Sequence, residues 1–204
     1  MPRITLEAKA ENRRRLVEAA ADEFATHGLE RANINRISLA AGLAKGTVYN
    51  HFASKEALFL EVVHEACVRA AAGGDAVPAD ASTRERLEAL LRSDVEWARA
   101  HEPFAKVLVR EALRGDPELY PRVIEAAGPY VVRVAQVLEE GVRRGEVRGD
   151  LPVPQLALVF SGMGALALVS HWGSGGAWPS LDEIPALFTE LFLRGAAAPS
   201  RDER

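Results

Sequence analysis

Apolar residues recur at helical spacing near the start of the chain. Leu16, Ala20 and Phe24 stand four positions apart, and such a stripe predicts a helix over about residues 10–27. Gly28 follows, and glycine commonly ends a helix because it accepts left-handed backbone geometry. The pattern therefore predicts one amphipathic helix with a defined stop.

Two short helices and a longer one are predicted next. Asn33 is a good N-cap for the first, which Gly42 then breaks. The second spans about residues 44–51, and Ser54 provides the cap of the third. A short helix, a glycine turn and a second short helix match the helix-turn-helix arrangement.

Capping signals and prolines predict where helices begin in the second half of the sequence. The sequences S-T-R-E (82–85) and S-L-D-E (180–183) fit the capping box and predict helices over about 83–101 and 181–195. In the stretch that follows the first of these helices, two or three more helices are marked by Pro103, Pro117, Pro121 and Pro129. A further helix, apolar on nearly all sides, is predicted over 153–173.

Strand-like alternation is absent from the sequence, so we predict an all-α fold of about nine helices. The segment GGDAVPADA (73–81) contains two glycines and a proline without periodicity, and we interpret it as a linker. The expected architecture is an N-terminal three-helix helix-turn-helix domain followed by a larger C-terminal helical domain.

Charge is distributed unevenly along the 204 residues. The formal net charge is −4, yet residues 1–60 contain nine Lys/Arg and seven Asp/Glu, which gives +2 there and leaves −6 for the remainder. Only the front of the chain is therefore suited to phosphates. The whole chain contains a single cysteine, Cys67, which excludes an internal disulfide and is expected to be a buried thiol.

The sequence favours a cytoplasmic protein without membrane contact. Its first twenty residues contain no uninterrupted apolar run of the kind that a signal peptide needs. The longest nearly apolar stretch, Leu156 to Ser170, is about fifteen residues, and a membrane span requires roughly 20. We interpret this stretch as a buried helix.

Residues 44–51 present the chemistry that a DNA-reading helix needs. Val48 and Phe52 face inward, while Gly46 leaves room for the backbone to approach a base edge or phosphate. Asparagine and lysine side chains suit base edges, and hydroxyl and imidazole groups suit phosphates. The candidate DNA contacts are Asn33, Arg36, Lys45, Gly46, Thr47, Tyr49, Asn50, His51 and Lys55.

Residues 13–63 resemble the N-terminal DNA-binding domain of the tetracycline-repressor (TetR) family. The shared marks are A-A…F…H-G, I-S-x-x-A-G-L, K-G-T-V-Y-x-H-F and S-K-E-x-L, in the family's order. The resemblance implies a homodimer that binds a near-palindromic double-stranded operator, usually as a repressor, and releases it when a small molecule binds. It implies a DNA-binding domain over 9–54, a connecting helix over 55–73 and an effector-binding and dimerisation domain over 82–195.

The chain departs from the family's pattern at three positions. Ala32 and Asn33 stand where two hydroxyl residues are usual, so one hydroxyl is lost while the cap is kept. Ala44 replaces the usual serine or threonine, which removes a helix cap that contributes about 0.5 to 2 kcal/mol. We expect a less rigid recognition helix before DNA binds.

Sequence similarity to the family weakens after residue 65, where an effector pocket is expected. Small-molecule sites are mostly apolar, although each aromatic residue here is also a candidate for ordinary core packing. The predicted effector is small and largely apolar, and the homodimer is expected to form through residues 153–173 and 181–195. The candidate pocket residues are Trp97, His101, Phe104, Val107, Tyr120, Tyr130, Phe160, Met163 and Trp172.

Catalysis finds little support in the sequence. His64 and Glu65 begin an H-E-x-x-H pattern, but Val68 stands where the second histidine would be. We therefore predict neither an enzyme nor a metal or cofactor. The alternative is an all-α interaction module or adaptor without DNA binding, which would not explain Gly46 beside Thr47, Tyr49 and His51.

Overall fold

The computed structural model describes residues 5–72, 77–78 and 80–196. Ten α-helices and no strand are found in this part of the chain, which confirms the all-α prediction and gives one helix more than about nine. The helices are α1 (Leu6–Arg31), α2 (Ile34–Ala40), α3 (Lys45–His51), α4 (Lys55–Ala72), α5 (Thr83–Ala100), α6 (Glu102–Leu113), α7 (Tyr120–Ala126), α8 (Gly128–Arg144), α9 (Val153–Gly173) and α10 (Ile184–Ala196).

Both predicted capping boxes are present. The Ser82 amide donates to Glu85 Oε2 at 2.8 Å, and the Ser180 amide donates to Glu183 Oε2 at 2.9 Å. The second box opens a tight turn first, since the Glu183 amide bonds to the carbonyl oxygen of Ser180 at 3.1 Å. For this reason α10 begins at Ile184 rather than at position 181.

Helix α1 is longer at both ends than its apolar stripe indicates. It begins at Leu6 because the hydroxyl of Thr5 accepts the Ala8 amide at 3.2 Å. The helical segment continues past Gly28 to Arg31, with a kink at Gly28, whose φ is 72°. The predicted stop is therefore a change of direction inside one continuous segment.

The backbone groups into two compact units. One combines Met1–Glu65 with His101–Ala126, and the other combines Ala66–Ala100 with Ala127–Arg204. In the first unit α1 packs on α2 and α6. Its core includes Phe24 and Phe59, whose rings meet edge to face with centroids 5.3 Å apart.

In the second unit, α8 and α10 each pack against both α5 and α9. Thr83 joins the start of α5 to the turn that follows α8, because its amide donates to Glu146 Oε2 at 2.7 Å. Phe160 of α9 and Phe192 of α10 meet edge to face with centroids 5.1 Å apart. These contacts form the core of the unit.

Helix α9 has a buried face and an exposed apolar face. It contains 21 residues, and its most apolar 18-residue window has a mean hydropathy of 1.7, so its length and composition would suffice to cross a membrane, and the length expectation from the sequence was wrong. A single such helix is weak support for a membrane, because core helices of globular proteins pass the same test. Only 33% of its apolar window is buried within this chain, so the buried-helix interpretation holds for one face alone.

Most of the predicted linker falls outside the described residues. Residues 73–76 and 79 belong to that part of the chain, while 77–78 and 80–81 are described. The linker interpretation stays a prediction.

Candidate nucleic-acid interface

The turn between α2 and α3 is closed by backbone hydrogen bonds. The Gly42 amide donates to the Leu39 carbonyl oxygen at 3.0 Å, and the Leu43 amide donates to that of Ser38 at 2.9 Å. Gly42 has a φ of +65°, which side-chain-bearing residues rarely adopt, and a Cβ here would stand 2.6 Å from Arg15 Nη2. Glycine at this position thus permits both the turn and the close approach of Arg15.

Helix α3 has the two faces that its sequence predicts. Val48 and Phe52 are buried against the rest of the first unit. Tyr49 is 51% exposed, and Lys45 and Asn50 are also exposed. The outward face therefore presents a cation, a phenol and an amide side by side.

The three other predicted contacts on α3, Gly46, Thr47 and His51, differ in exposure. A Cβ at Gly46 would meet no atom within 4 Å, so the helix backbone is open to an approaching molecule. Thr47 and His51 are half-buried at the edge of the exposed face. As the sequence predicts, Ala44 provides no side-chain hydrogen bond to the start of α3.

Asn33 and Arg36 both have partners inside the protein. The Asn33 side chain accepts the Asn35 amide at 2.8 Å and caps α2 as predicted. Arg36 Nε donates to both carboxylate oxygens of Glu23 at 3.0 Å, and Glu23 also accepts the Asn33 amide at 2.8 Å. The hydrogen bonds from Arg36 hold the pKa of the buried Glu23 below its ordinary value. Arg36 therefore fixes α2 on α1, and its role as a DNA contact stays a prediction.

Lys55 also bonds within the first unit. Its Nζ donates to the carbonyl oxygen of Glu30 at 2.7 Å and lies 3.5 Å from that of Ala32. These carbonyls stand at the end of α1, where a cation suits the helix dipole. The phosphate contact of Lys55 stays a prediction, and it would use the same ammonium group that bonds to these carbonyls.

A basic recess beside α3 contains cations that the sequence analysis did not select. It encloses about 340 Å³ between the start of α1 and the end of α3. Burial lowers the pKa of His51, and the charges of Lys9 and Arg13 lower it further, so this imidazole is neutral at pH 7. The recess is lined by Leu6, Lys9, Ala10, Arg13, Asn50 and His51.

Arg13 is held in place from two sides. Its guanidinium carbon lies 4.8 Å from the centre of the Phe52 ring, and Nη2 is 2.5 Å from Glu61 Oε1. The sequence signal for the recess was the i, i+4 spacing of Lys9 and Arg13 on one face of α1. Only the folded chain brings these residues to His51.

Family models match both parts of the chain. The model described as "Bacterial regulatory proteins, tetR family" matches residues 16–62, which include α2 and α3. The model described as "Tetracyclin repressor-like, C-terminal domain" matches residues 80–196, more than half of the chain.

The chain belongs to the tetR family. The family resemblance of residues 13–63 is thereby confirmed, and the protein is a DNA-binding transcriptional regulator.

Curated relatives and solved structures agree with this membership. The chain is 27% identical over 195 residues to the HTH-type transcriptional repressor AcnR of Corynebacterium diphtheriae, covering 93% of this chain and 96% of the relative. It is 28% identical over 194 residues to the repressor KstR2 of Rhodococcus jostii, covering 94% of each. The structure of FadR from Bacillus subtilis in complex with stearoyl-CoA has the same fold, with a TM-score of 0.76, 21% identity and coverage of 89% and 98%.

The predicted pocket residues of this tetR-family regulator are divided between the two compact units. His101, Phe104, Val107 and Tyr120 belong to the first unit, and Trp97, Tyr130, Phe160, Met163 and Trp172 belong to the second.

Their environments differ as well. Phe104 packs on Phe59 with ring centroids 5.9 Å apart, and Phe160 packs on Phe192. Tyr120 is 44% exposed, whereas Tyr130 is buried with an unpartnered hydroxyl. Phe104 and Phe160 thus serve as core residues, and the assignment of the set to a pocket stays a prediction.

Sequence reasoning did not select Asp94, the polar residue beside Tyr130. Its signal was the interruption of an apolar stripe, because Leu87, Leu91, Asp94 and Ala98 share one face of α5.

Proposed function

We propose that this tetR-family regulator binds a near-palindromic operator as a homodimer, represses transcription and leaves the operator when a small, largely apolar effector binds. The role of each segment follows the predicted division: residues 9–54 bind DNA, 55–73 connect, and 82–195 bind the effector and dimerise. The single observation that carries the DNA-binding part is the exposed face of α3 beside the basic recess.

The exposed face of α3 and the basic recess beside it would make different contacts with DNA. Lys45 and Asn50 carry side chains that suit base edges, while Tyr49 offers a rigid hydroxyl for a phosphate oxygen. Lys9 and Arg13 add positive charge beside these groups. Together they provide sequence reading and charge neutralisation on one surface.

The homodimer is supported by apolar surface that the single chain leaves uncovered. Val159 and Leu166 of α9 are 54% and 56% exposed, and Leu191 of α10 is 51% exposed. Exposed apolar side chains on neighbouring helices are typical of an interface between protein chains. A twofold dimer through α9 and α10 would cover them and present two copies of α3 to the duplex.

An effector response is supported by two observations. The C-terminal family model covers residues 80–196, and the FadR structure of the same fold was solved in complex with stearoyl-CoA. We therefore propose a small-molecule site in the C-terminal part, without transferring that ligand to this chain.

Selection of duplexes from a fragmented source genome tests the DNA-binding part. The wild-type chain should enrich a near-palindromic fragment, and Lys45→Ala should weaken its binding and reduce the steepness of the salt dependence. Arg143→Ala is the matched control, because it removes a cation that pairs with Glu140 on α8 instead. Equal affinity of wild type and Lys45→Ala at every salt concentration would contradict the assigned contact.

Sedimentation tests the proposed interface. Leu166→Glu places a charge in the uncovered apolar face of α9 and should yield monomers that bind the operator weakly. Leu113→Glu changes another exposed leucine, on α6, and should leave the dimer intact. A Leu166→Glu protein that remains dimeric would place the interface elsewhere.

A further inference from the structure

Asp94 of α5 is a carboxylate without a counter-charge. It lies on the apolar side of the helix, between the buried residues Leu91, Val95 and Ala98. Within the described part of the chain it makes no hydrogen bond and no ion pair. An acidic residue in this position does not contribute the usual stabilising contacts of a buried charge.

Helix α9 approaches Asp94 at a glycine. A Cβ at Gly164 would stand 3.9 Å from Asp94 Oδ2 and 2.9 Å from Leu91 Cδ1. The carboxylate therefore points towards the backbone of α9 rather than away from the unit. Its side chain is half-buried and keeps some accessible surface in these surroundings.

A second polar group without a partner lies on α8. Tyr130 is 6% exposed, and its buried hydroxyl has no hydrogen-bond partner among the described residues. The hydroxyl is close enough to interact electrostatically with Asp94 and with the thiol of Cys67 on α4. Within the second unit, residues from α4, α5 and α8 thus bring hydrogen-bonding groups together without satisfying them.

Of the three titratable groups in this cluster, only Asp94 carries a charge at neutral pH. Burial raises the pKa of Tyr130 well above its ordinary value and raises that of Cys67 to about 12, so both groups stay protonated. Burial raises the pKa of Asp94 to about 6, so its carboxylate is mainly ionised at neutral pH. Desolvated groups with unfulfilled hydrogen bonding and a displaced pKa are candidates for binding sites.

We propose that the effector carries a protonated nitrogen on an apolar body, with the Asp94 carboxylate accepting from the ammonium and the Tyr130 hydroxyl bonding beside it. This inference rests on the proposed effector response and adds the chemical class of the ligand. A cation supplies the missing counter-charge, whereas an anion would be repelled and a neutral alcohol would leave the charge uncompensated.

Probes that share one apolar body and differ in the head group test this inference. The first set is 1-adamantylamine, 1-adamantanol and adamantane-1-carboxylate, and the second is decylamine, decanol and decanoate. Binding is measured by tryptophan fluorescence, thermal unfolding and release of the selected operator. The amine of at least one set should bind about tenfold more tightly than its alcohol, as one charge-assisted hydrogen bond allows.

Variants separate the carboxylate from its surroundings. Asp94→Asn should abolish the preference for the amine while the protein still unfolds cooperatively. Tyr130→Phe removes only the hydroxyl and should weaken amine binding by a few-fold. Glu96→Gln is the matched control, because it removes an exposed carboxylate from the same helix and should change nothing.

The pH dependence gives an independent readout. Amine affinity of the wild type should fall as the pH drops below about 6, where Asp94 becomes protonated. The titratable groups facing it, Cys67 and Tyr130, keep their protons throughout this range. Asp94→Asn should show no such fall.

The possible negative results contradict different parts of the proposal. Alcohols or carboxylates that bind as tightly as the amines and release the operator would overturn the cationic class and leave the effector response standing. An amine preference that survives in Asp94→Asn would overturn the assigned residue. Probes that neither bind nor release the operator, whatever their head group, would count against both the cationic class and the effector response, while operator binding is measured without them.

Discussion

The guanidinium of Arg110 occupies the space that a side chain at position 28 would need. Its Nη2 atom lies 2.7 Å from the point where a Cβ on Gly28 would stand. Arg110 also donates to Glu111 Oε1 at 2.9 Å, and Arg114 of the same region joins Glu111 to Glu30 of α1. This network holds α6 against the kink of α1.

Gly28→Ala should therefore destabilise the protein by about 1–3 kcal/mol. The φ of 72° and ψ of 169° at this position form a combination that is open almost only to glycine. Chemical denaturation of wild type and variant measures the difference. In an Arg110→Ala background the steric part disappears, so the loss caused by Gly28→Ala should become smaller there. An equal loss in both backgrounds would show that Arg110 adapts without cost.

Gly46→Ala should separate stability from DNA binding. Alanine is favoured over glycine in a helix by about 0.5–1 kcal/mol, and no atom within 4 Å opposes the added methyl group. The unfolding free energy should rise, while operator affinity should fall because the backbone of α3 is held away from DNA. A variant that gains stability and keeps full affinity would show that DNA does not approach this backbone.

Glu23→Gln should lower the unfolding free energy by about 1–2 kcal/mol at neutral pH, because the charge-assisted hydrogen bonds to Arg36 are weakened. The folded-state pKa of Glu23 is below its ordinary 4.5, so its contribution is present above that pH and is lost as the pH falls through the folded value. Denaturation at a series of pH values should show the two proteins converging in acid. Glu11→Gln is the control, since its pair with Arg14 lies on the exposed surface.

Asp94→Asn should stabilise the free protein at neutral pH by about 1–2 kcal/mol. The folded-state pKa of about 6 exceeds the ordinary 3.8, so the wild type loses stability as the pH rises between these values. The variant cannot ionise here and should keep its stability, with no gain at pH values below both. Thermal unfolding at a series of pH values measures this, and a variant that is less stable at neutral pH would indicate a structural role for the carboxylate.

Local signals predicted the helices better than the site. The capping boxes at Ser82 and Ser180 and the caps at Asn33 and Ser54 act within three residues, so the sequence reveals them. The continuation of α1 past Gly28 depends on packing against α6, which no local pattern records.

Long-range partners account for what the site analysis missed. Arg36 and Lys55 are exposed cations by pattern, yet their partners lie on α1, 13 and 25 residues away in the chain. The meeting of Lys9 and Arg13 with His51 has the same origin. Residue type selected the right helix, and tertiary contacts decide which side chains remain available to DNA.

The bonding of Glu23 has a genetic consequence. One carboxylate holds both the Arg36 guanidinium and the Asn33 amide, so the placement of α2 depends on a residue that is buried inside the first unit. In a screen for colonies that escape repression, substitutions at position 23 should be recovered alongside those at Lys45 or Tyr49. The positions of such substitutions would identify the residues that hold α2 and α3 in place as well as those that contact DNA.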